Sequence, residues 1–288
     1  MPFVTRSLSS FVKGEKPQMR LVHFIADPPS TTLQRLKALT TGSMPTFVDA
    51  GANFGGSQLL EDNLIKQWHQ VGRRVLFAGD DTWISLFPTE FNESHPYPSF
   101  DVRDLDTVDR AVREYILSQL EDDVPAWDVL IGHMLGVDHC GHTYGPNHPV
   151  MTRKLQELDD LIKRVVERMR SDDLLIVAGD HGMTAAGNHG GDSLLELDAA
   201  LLIYPNPTEQ NDSVLQVYEE LRIAQIDLVP TLACLTAIPI PYSNLGVIVP
   251  ELISSNELFR LCLAENVAQV GLVFSISFFA MLFLFSCS

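Results

Sequence analysis

WDVLIGHML (residues 127–135) runs directly into GVDHCGH (residues 136–142), and that junction decides the fold. The first stretch is an almost continuous apolar run. Such a run reads as a strand buried on both faces, with helices covering the sheet from each side. The second stretch sets a carboxylate and imidazoles just past the strand's carboxyl end, where open α/β sheets collect ligands. The same arrangement recurs elsewhere. Residues 74–79 end at Asp80 and Asp81, and residues 174–179 (LLIVAG) end at Asp180 and His181.

Working outward, further strands are expected at 20–26 and 199–204, and helices at 32–41, 57–71, 106–121, 150–170 and 213–222. Strands alternating with helices predict an α/β fold with a mostly parallel central sheet flanked by helices. QIDLVPTLACLTAIPIP predicts a packing helix entered near Asp227 and then a proline-rich connection, and residues 205–213 read as a surface loop. No internal repeat is visible. The expected organisation is an unassigned segment at 1–19, a catalytic domain at 20–257 and a C-terminal hydrophobic segment at 258–288.

The chain has 288 residues, 20 Lys and Arg against 37 Asp and Glu, and a net charge of −17. That balance repels phosphate backbones and argues against nucleic-acid binding. An acidic protein acting on phosphates needs cations in its site, although solubility alone also accounts for the charge. Cys140, Cys234, Cys262 and Cys287 form no CxxC pair, so neither a disulfide framework nor a cysteine zinc site is expected. Asn92 and Asn211 open glycosylation sequons, which suit a lumenal or secreted setting. The N-terminus is too polar for a signal peptide. Residues 267–285 carry no charge, with Gln269 the one strongly polar residue, and FSISFFAMLFLF within them is apolar on every face, so a membrane-spanning helix is expected there, with a buried terminal helix as the alternative.

Three clusters carry chemistry. In GVDHCGH, Asp138 and His142 lie four apart, in a loop expected to be loosened by Gly136 and Gly141, and can grip one divalent ion. In AGDHG, Asp180 and His181 are adjacent. On extended backbone their side chains diverge, which would suit two neighbouring ions. In GNHGGD, His189 stands among glycines that let backbone approach an ion. This oxygen and nitrogen donor set suits zinc, or manganese. Each cluster alone is explained as well by loop caps and surface histidines, but together they point to one metal centre. Upstream, PPSTTLQRLKALTTG (residues 28–42) puts hydroxyls at a helix N-terminus, where backbone N–H groups stabilise an anion. Simple helix capping is the plainer reading of that stretch by itself. His133 is expected to be a satisfied core residue, His139 to point away from the ion, and His148 to lie in a surface loop.

The series PPSTTLQRLKALTTG, DAGANF, EDNLI, GDDTW, WDVLIGHMLGVDHCGH and AGDHGM with GNHGGDS resembles the GPI ethanolamine phosphate transferases, in particular the third-mannose type. These belong to the alkaline phosphatase superfamily. The resemblance runs from about Arg20 to Val270. It implies an alkaline-phosphatase-like fold with two zinc ions. Thr32 is implied as the covalent nucleophile. Asp138, His142 and His189 would ligate one metal, and Asp180, His181 and Thr32 the other. Asn53 would face a phosphate oxygen. Asp80 and Asp81 belong to a transferase motif in which substrate contact and helix capping are equally open. The implied reaction moves phosphoethanolamine from phosphatidylethanolamine to a mannose of the GPI precursor through a phosphothreonine. The implied setting is the ER membrane with a lumenal catalytic domain, alongside a small membrane stabilising subunit. The family's DxLRxD strand, whose first aspartate ligates the second metal, has no counterpart in these residues, nor does its N-terminal membrane anchor. A truncated, catalytically impaired isoform and a metal-dependent phosphodiesterase of the same superfamily are therefore the alternatives.

Overall fold

The computed structural model describes residues 20–44, 58–121, 124–170, 172–205, 221–253 and 255–286. Asn53, Asn211 and most of the helix expected at 213–222 lie outside them. In chain order the elements are β1 (Arg20–Ile25), α1 (Thr32–Thr41), α2 (Leu64–Gln70), β2 (Val75–Asp80), α3 (Thr82–Leu86), β3 (Glu93–Tyr97), α4 (Thr107–Gln119), β4 (Val129–His133), α5 (Gly136–Tyr144), α6 (Pro149–Val166), β5 (Leu174–Ala178), α7 (Leu194–Leu197), β6 (Asp198–Pro205), β7 (Arg222–Ala224), α8 (Leu228–Leu235) and α9 (Asn256–Ser286).

The fold is α/β. Among the described residues the expected strands are present, α1 spans the expected 32–41, and the helix expected at 57–71 is confined to Leu64–Gln70. The sheet differs from expectation. The described strands form two sheets, in the orders β5-β6-β1-β7 and β3-β2-β4. The three-stranded sheet is wholly parallel, whereas β6 runs antiparallel to both β1 and β5. Alternating apolar patterns report burial and not direction, so the reversal of β6 is invisible in sequence. The exposed edge run Glu93–Tyr97 and the short β7 were also missed, because neither carries a long apolar stretch.

Every residue of β2 is buried. Phe77 anchors this core, its ring 5.5 Å from Trp83 and 5.1 Å from Phe91. Such aromatic pairs add roughly 1 kcal/mol each beyond the area they bury. On the other sheet, Phe24, Leu201, Ile203, Ile223 and Val249 make a second core beneath β1 and β6. The two cores fix the rim on which the ligand-bearing ends of β4 and β5 sit.

Two further expectations change. GVDHCGH is not a loop but most of α5. Cys234 on α8 and Cys262 on α9 form a disulfide with Cα atoms 5.7 Å apart. Nothing in their spacing of 28 residues announced it. The start of α9 is held further by polar side chains. Asn266 Oδ1 accepts the N–H of Ile248, and Gln269 Nε2 donates to the carbonyls of Tyr242 and Asn244. No helix among the described residues is long and apolar enough to cross a membrane. The spanning helix expected at 267–285 is therefore not found there. The described start of α9 carries Glu257, Arg260 and Glu265, and side chains from 274 onward lie outside the description.

Candidate metal centre

Where β4 ends, α5 begins, and its first turn is pinned from outside. One carboxylate oxygen of Asp109, on α4, accepts the N–H groups of Leu135 and Gly136, each at 2.9 Å. The other faces the ammonium of Lys154 at 2.8 Å, and Lys154 is itself only 1% exposed. Four residues along a helix bring side chains to one face. Asp138 Oδ2 accordingly lies 3.3 Å from His142 Nε2.

His189 approaches from the loop between β5 and α7. Its Nε2 lies 3.0 Å from His142 Nε2 and 3.6 Å from Asp138 Oδ1. Its other nitrogen, Nδ1, faces the carbonyl of Ser30 at 3.0 Å, and we assign the ring proton there. The Nε2 lone pair is then turned toward Asp138 and His142. Burial first, and the neighbouring His181 second, push the His189 pKa below its ordinary value, which favours the neutral, ligating form. Ser30 is fully buried and ties this loop to the start of α1, donating to Gly191 O and accepting from Gly190 N–H. One donor atom from each of Asp138, His142 and His189 falls within 4.8 Å of the others.

The second cluster adjoins the first. Thr32 is the first residue of the ten-residue helix α1, and its Oγ1 lies 3.4 Å from His181 Nε2. His181 repeats the logic of His189: Nδ1 faces the carbonyl of Gly182 at 2.9 Å, leaving Nε2 free to ligate. Asp180 Oδ2 is 3.4 Å from that same Nε2. Asp180 and His181 thus converge and do not diverge, because the chain has already left the strand at Ala178. The rings of His181 and His189 stack with centroids 3.9 Å apart, joining the clusters.

Asp138 Oδ1 and Asp180 Oδ2 are buried without a hydrogen-bond partner among the described residues. An orphaned buried carboxylate oxygen in each cluster, facing imidazole lone pairs, is the donor pattern of a cation site. The residues present therefore fit divalent metal ions.

The remaining candidates fall into place around this centre. His133 Nδ1 accepts the indole N–H of Trp83 at 2.9 Å, as befits a core residue. His139 is buried and turned toward the carbonyls of Asp104 and Ser99, away from Asp138. His148 caps α6, its Nδ1 accepting the N–H of Val150. Asp80 is buried and accepts the N–H of Thr82, and Asp81 accepts the hydroxyl of Ser99. The Asp80 bond reaches the first residue of α3, whereas Asp81 stands at the N-cap and makes no side-chain cap bond. Asn92 is exposed on the strand edge and its Oδ1 accepts the N–H of Val75. Asp109, Arg35 and Gln225 hold the ligand-bearing segments and were not anticipated. The first could have been suspected as an isolated acid in the first turn of a helix, but a fully buried Arg or Gln leaves no sequence signal.

The family described as type I phosphodiesterase / nucleotide pyrophosphatase matches residues 58–224, and the chain belongs to it. The chain is 52% identical over 259 residues to human GPI ethanolamine phosphate transferase 3, catalytic subunit, a match covering 89% of this chain and 23% of the human protein. It is 44% identical over 272 residues to GPI ethanolamine phosphate transferase 3 of Saccharomyces cerevisiae, covering 91% of this chain and 27% of that one. The chain thus spans about a quarter of the length of these relatives. Among solved structures, a protein in the alkaline phosphatase superfamily from Vibrio parahaemolyticus superposes with a TM-score of 0.55 at 15% identity, covering 84% of this chain and 62% of that chain. That similarity shows an alkaline-phosphatase-like fold.

Proposed function

We propose that residues 20–257 form the catalytic domain of a GPI ethanolamine phosphate transferase. It moves phosphoethanolamine from phosphatidylethanolamine to a mannose hydroxyl of the GPI-anchor precursor. The observation that carries this reading is the position of Thr32 Oγ1, at a helix N-terminus and 3.4 Å from His181 Nε2, beside the Asp138, His142 and His189 cluster.

In the first half-reaction Thr32 Oγ bonds to phosphorus as the bond from phosphorus to the diacylglycerol oxygen breaks. The Thr32 proton passes to solvent and diacylglycerol takes one up. The N-terminus of α1 stabilises the phosphate that Thr32 then carries. In the second half-reaction a mannose hydroxyl attacks phosphorus, the bond to Thr32 Oγ breaks, and Thr32 regains its proton. Asn53 is placed by resemblance to donate to a non-bridging phosphate oxygen. Two divalent cations, zinc by the chemistry of the nitrogen and oxygen donors, would supply charge that lowers the Thr32 hydroxyl pKa and neutralises the phosphoryl oxygens. Asp138, His142 and His189 would hold one, and Asp180, His181 and Thr32 the other.

An ER lumenal location is supported by the Cys234–Cys262 disulfide, which persists in oxidising compartments, and by the sequons at Asn92 and Asn211. A small membrane stabilising subunit is part of the same proposal by resemblance alone. A hydrolase of the same superfamily is the second reading, favoured by the phosphodiesterase family match. Incubating the protein with labelled phosphatidylethanolamine and a mannosylated glycolipid separates them. Label on the glycolipid that disappears in Thr32→Ala supports transfer. Free phosphoethanolamine with no labelled glycolipid supports hydrolysis.

A further inference from the structure

Thr32 and Asp180 come from different elements, and their register must be set by something between them. Arg35 lies on α1 one turn beyond Thr32 and is fully buried. Its Nη1 donates to Gln225 Oε1 at 3.3 Å, and Gln225 is also fully buried. Gln225 Nε2 in turn donates to the carbonyl of Asp180 at 2.6 Å and reaches that of Gly179 at 3.4 Å. An unbroken chain of hydrogen bonds therefore runs from the nucleophile's helix to the backbone of a candidate ligand.

A buried guanidinium is costly unless it is paired, and an apolar side chain would fill the same space. The anions that face Arg35 are Asp27, past the end of β1, and Asp180. Burial draws the Arg35 pKa down to about 10 while these two carboxylates oppose it, so the residue stays charged at neutral pH. Among the described residues, its Nε and Nη2 have no hydrogen-bond partner, and neither does Asp27 Oδ2. The guanidinium is thus not locked in a closed ion pair. It contributes one aimed hydrogen bond and a fixed positive charge beneath the second cluster.

We infer that Arg35, acting through Gln225, is the positioning residue of the Thr32, Asp180 and His181 half of the centre, and that the Asp138, His142 and His189 half is independent of it. The inference rests on the metal-dependent reading above, and its test needs no turnover. Zinc alone is titrated into metal-stripped full chain, with bound zinc counted by elemental analysis and folding followed by circular dichroism. The unaltered chain takes up two ions. Gln225→Leu and Arg35→Met each weaken one of them at least tenfold and leave the other unchanged. Arg35→Lys restores part of the loss, because charge returns without the planar donor. Gln225→Leu keeps the buried volume nearly constant, so the question stays answerable if Arg35→Met does not fold. Two undisturbed ions in folded Gln225→Leu would overturn this inference alone. An unaltered chain that binds no zinc would overturn the metal-dependent reading together with it.

Discussion

The two halves of the candidate centre are built by different means. Asp138 and His142 sit on one face of a single short helix, pinned at its first turn by Asp109 and Lys154. Local geometry alone brings their donor atoms together, and His189 has only to close the third side. Thr32, Asp180 and His181 converge from a helix start and a strand-end turn 149 residues apart in sequence, with Arg35 and Gln225 between them. One half is assembled by helical periodicity and the other by tertiary packing. The first should tolerate damage to the surrounding core, while the second should register it.

The largest expected effect is on the local half. Asp138→Asn keeps the shape but removes the charge, and zinc affinity there should fall by at least about 100-fold, since even outer partners of a metal ligand are worth about 10- to 100-fold. Calorimetric titration of zinc measures it, and an unchanged isotherm would remove Asp138 from the ligand set. Next is Asp109→Ala, which frees two N–H groups and removes one of the three carboxylates that pair with the buried Lys154 ammonium. A loss of about 3 kcal/mol in urea denaturation is expected from breaking a buried ion pair and a cap. If stability is lost but zinc still binds Asp138 and His142 normally, α5 forms without its anchor and the contrast between the halves sharpens.

Cys262→Ser should cost roughly 3 kcal/mol in the same measurement, the usual worth of a disulfide closing a loop of this size. Because that bond lies on α8 and α9, neither half should lose zinc. Smallest is a pH effect around α6. The hydrogen bond from Arg153 holds the Asp106 carboxyl below its ordinary value of 3.8. Burial pushes Glu157 up, but Lys154 and Arg153 outweigh it, and its carboxyl ends below 4.5. Both folded values are depressed. The stability they contribute is complete above those ordinary values and is lost as pH falls through the lower folded ones. Thermal melts from pH 6 down to roughly pH 3 should show a drop that Lys154→Met and Arg153→Met reduce.

The same contrast governs what could be read in sequence. Helix α1 was legible to the residue, because apolar spacing and a proline-bounded start define it locally. The candidate ligands Asp138, His142, Asp180 and His181 stand out in the sequence because they lie just past apolar strands. The state of GVDHCGH was not, since Gly136 and Gly141 suggested a loop. Their role is close packing: a Cβ at Gly136 would strike Asp109 and Lys154, and one at Gly141 would strike the sulfur of Met183. The reversed strand β6, the Cys234–Cys262 bond and the Arg35–Gln225 link all join distant segments, and no local pattern encodes such partners.

Thr32 is the proposed group that takes up phosphoethanolamine. Full chain incubated with phosphatidylethanolamine, quenched in acid before acceptor is added and digested for mass spectrometry tests this directly. A phosphoethanolamine adduct on Thr32, absent from His181→Ala, is the predicted result. Transfer to the glycolipid with no adduct on Thr32 would contradict it.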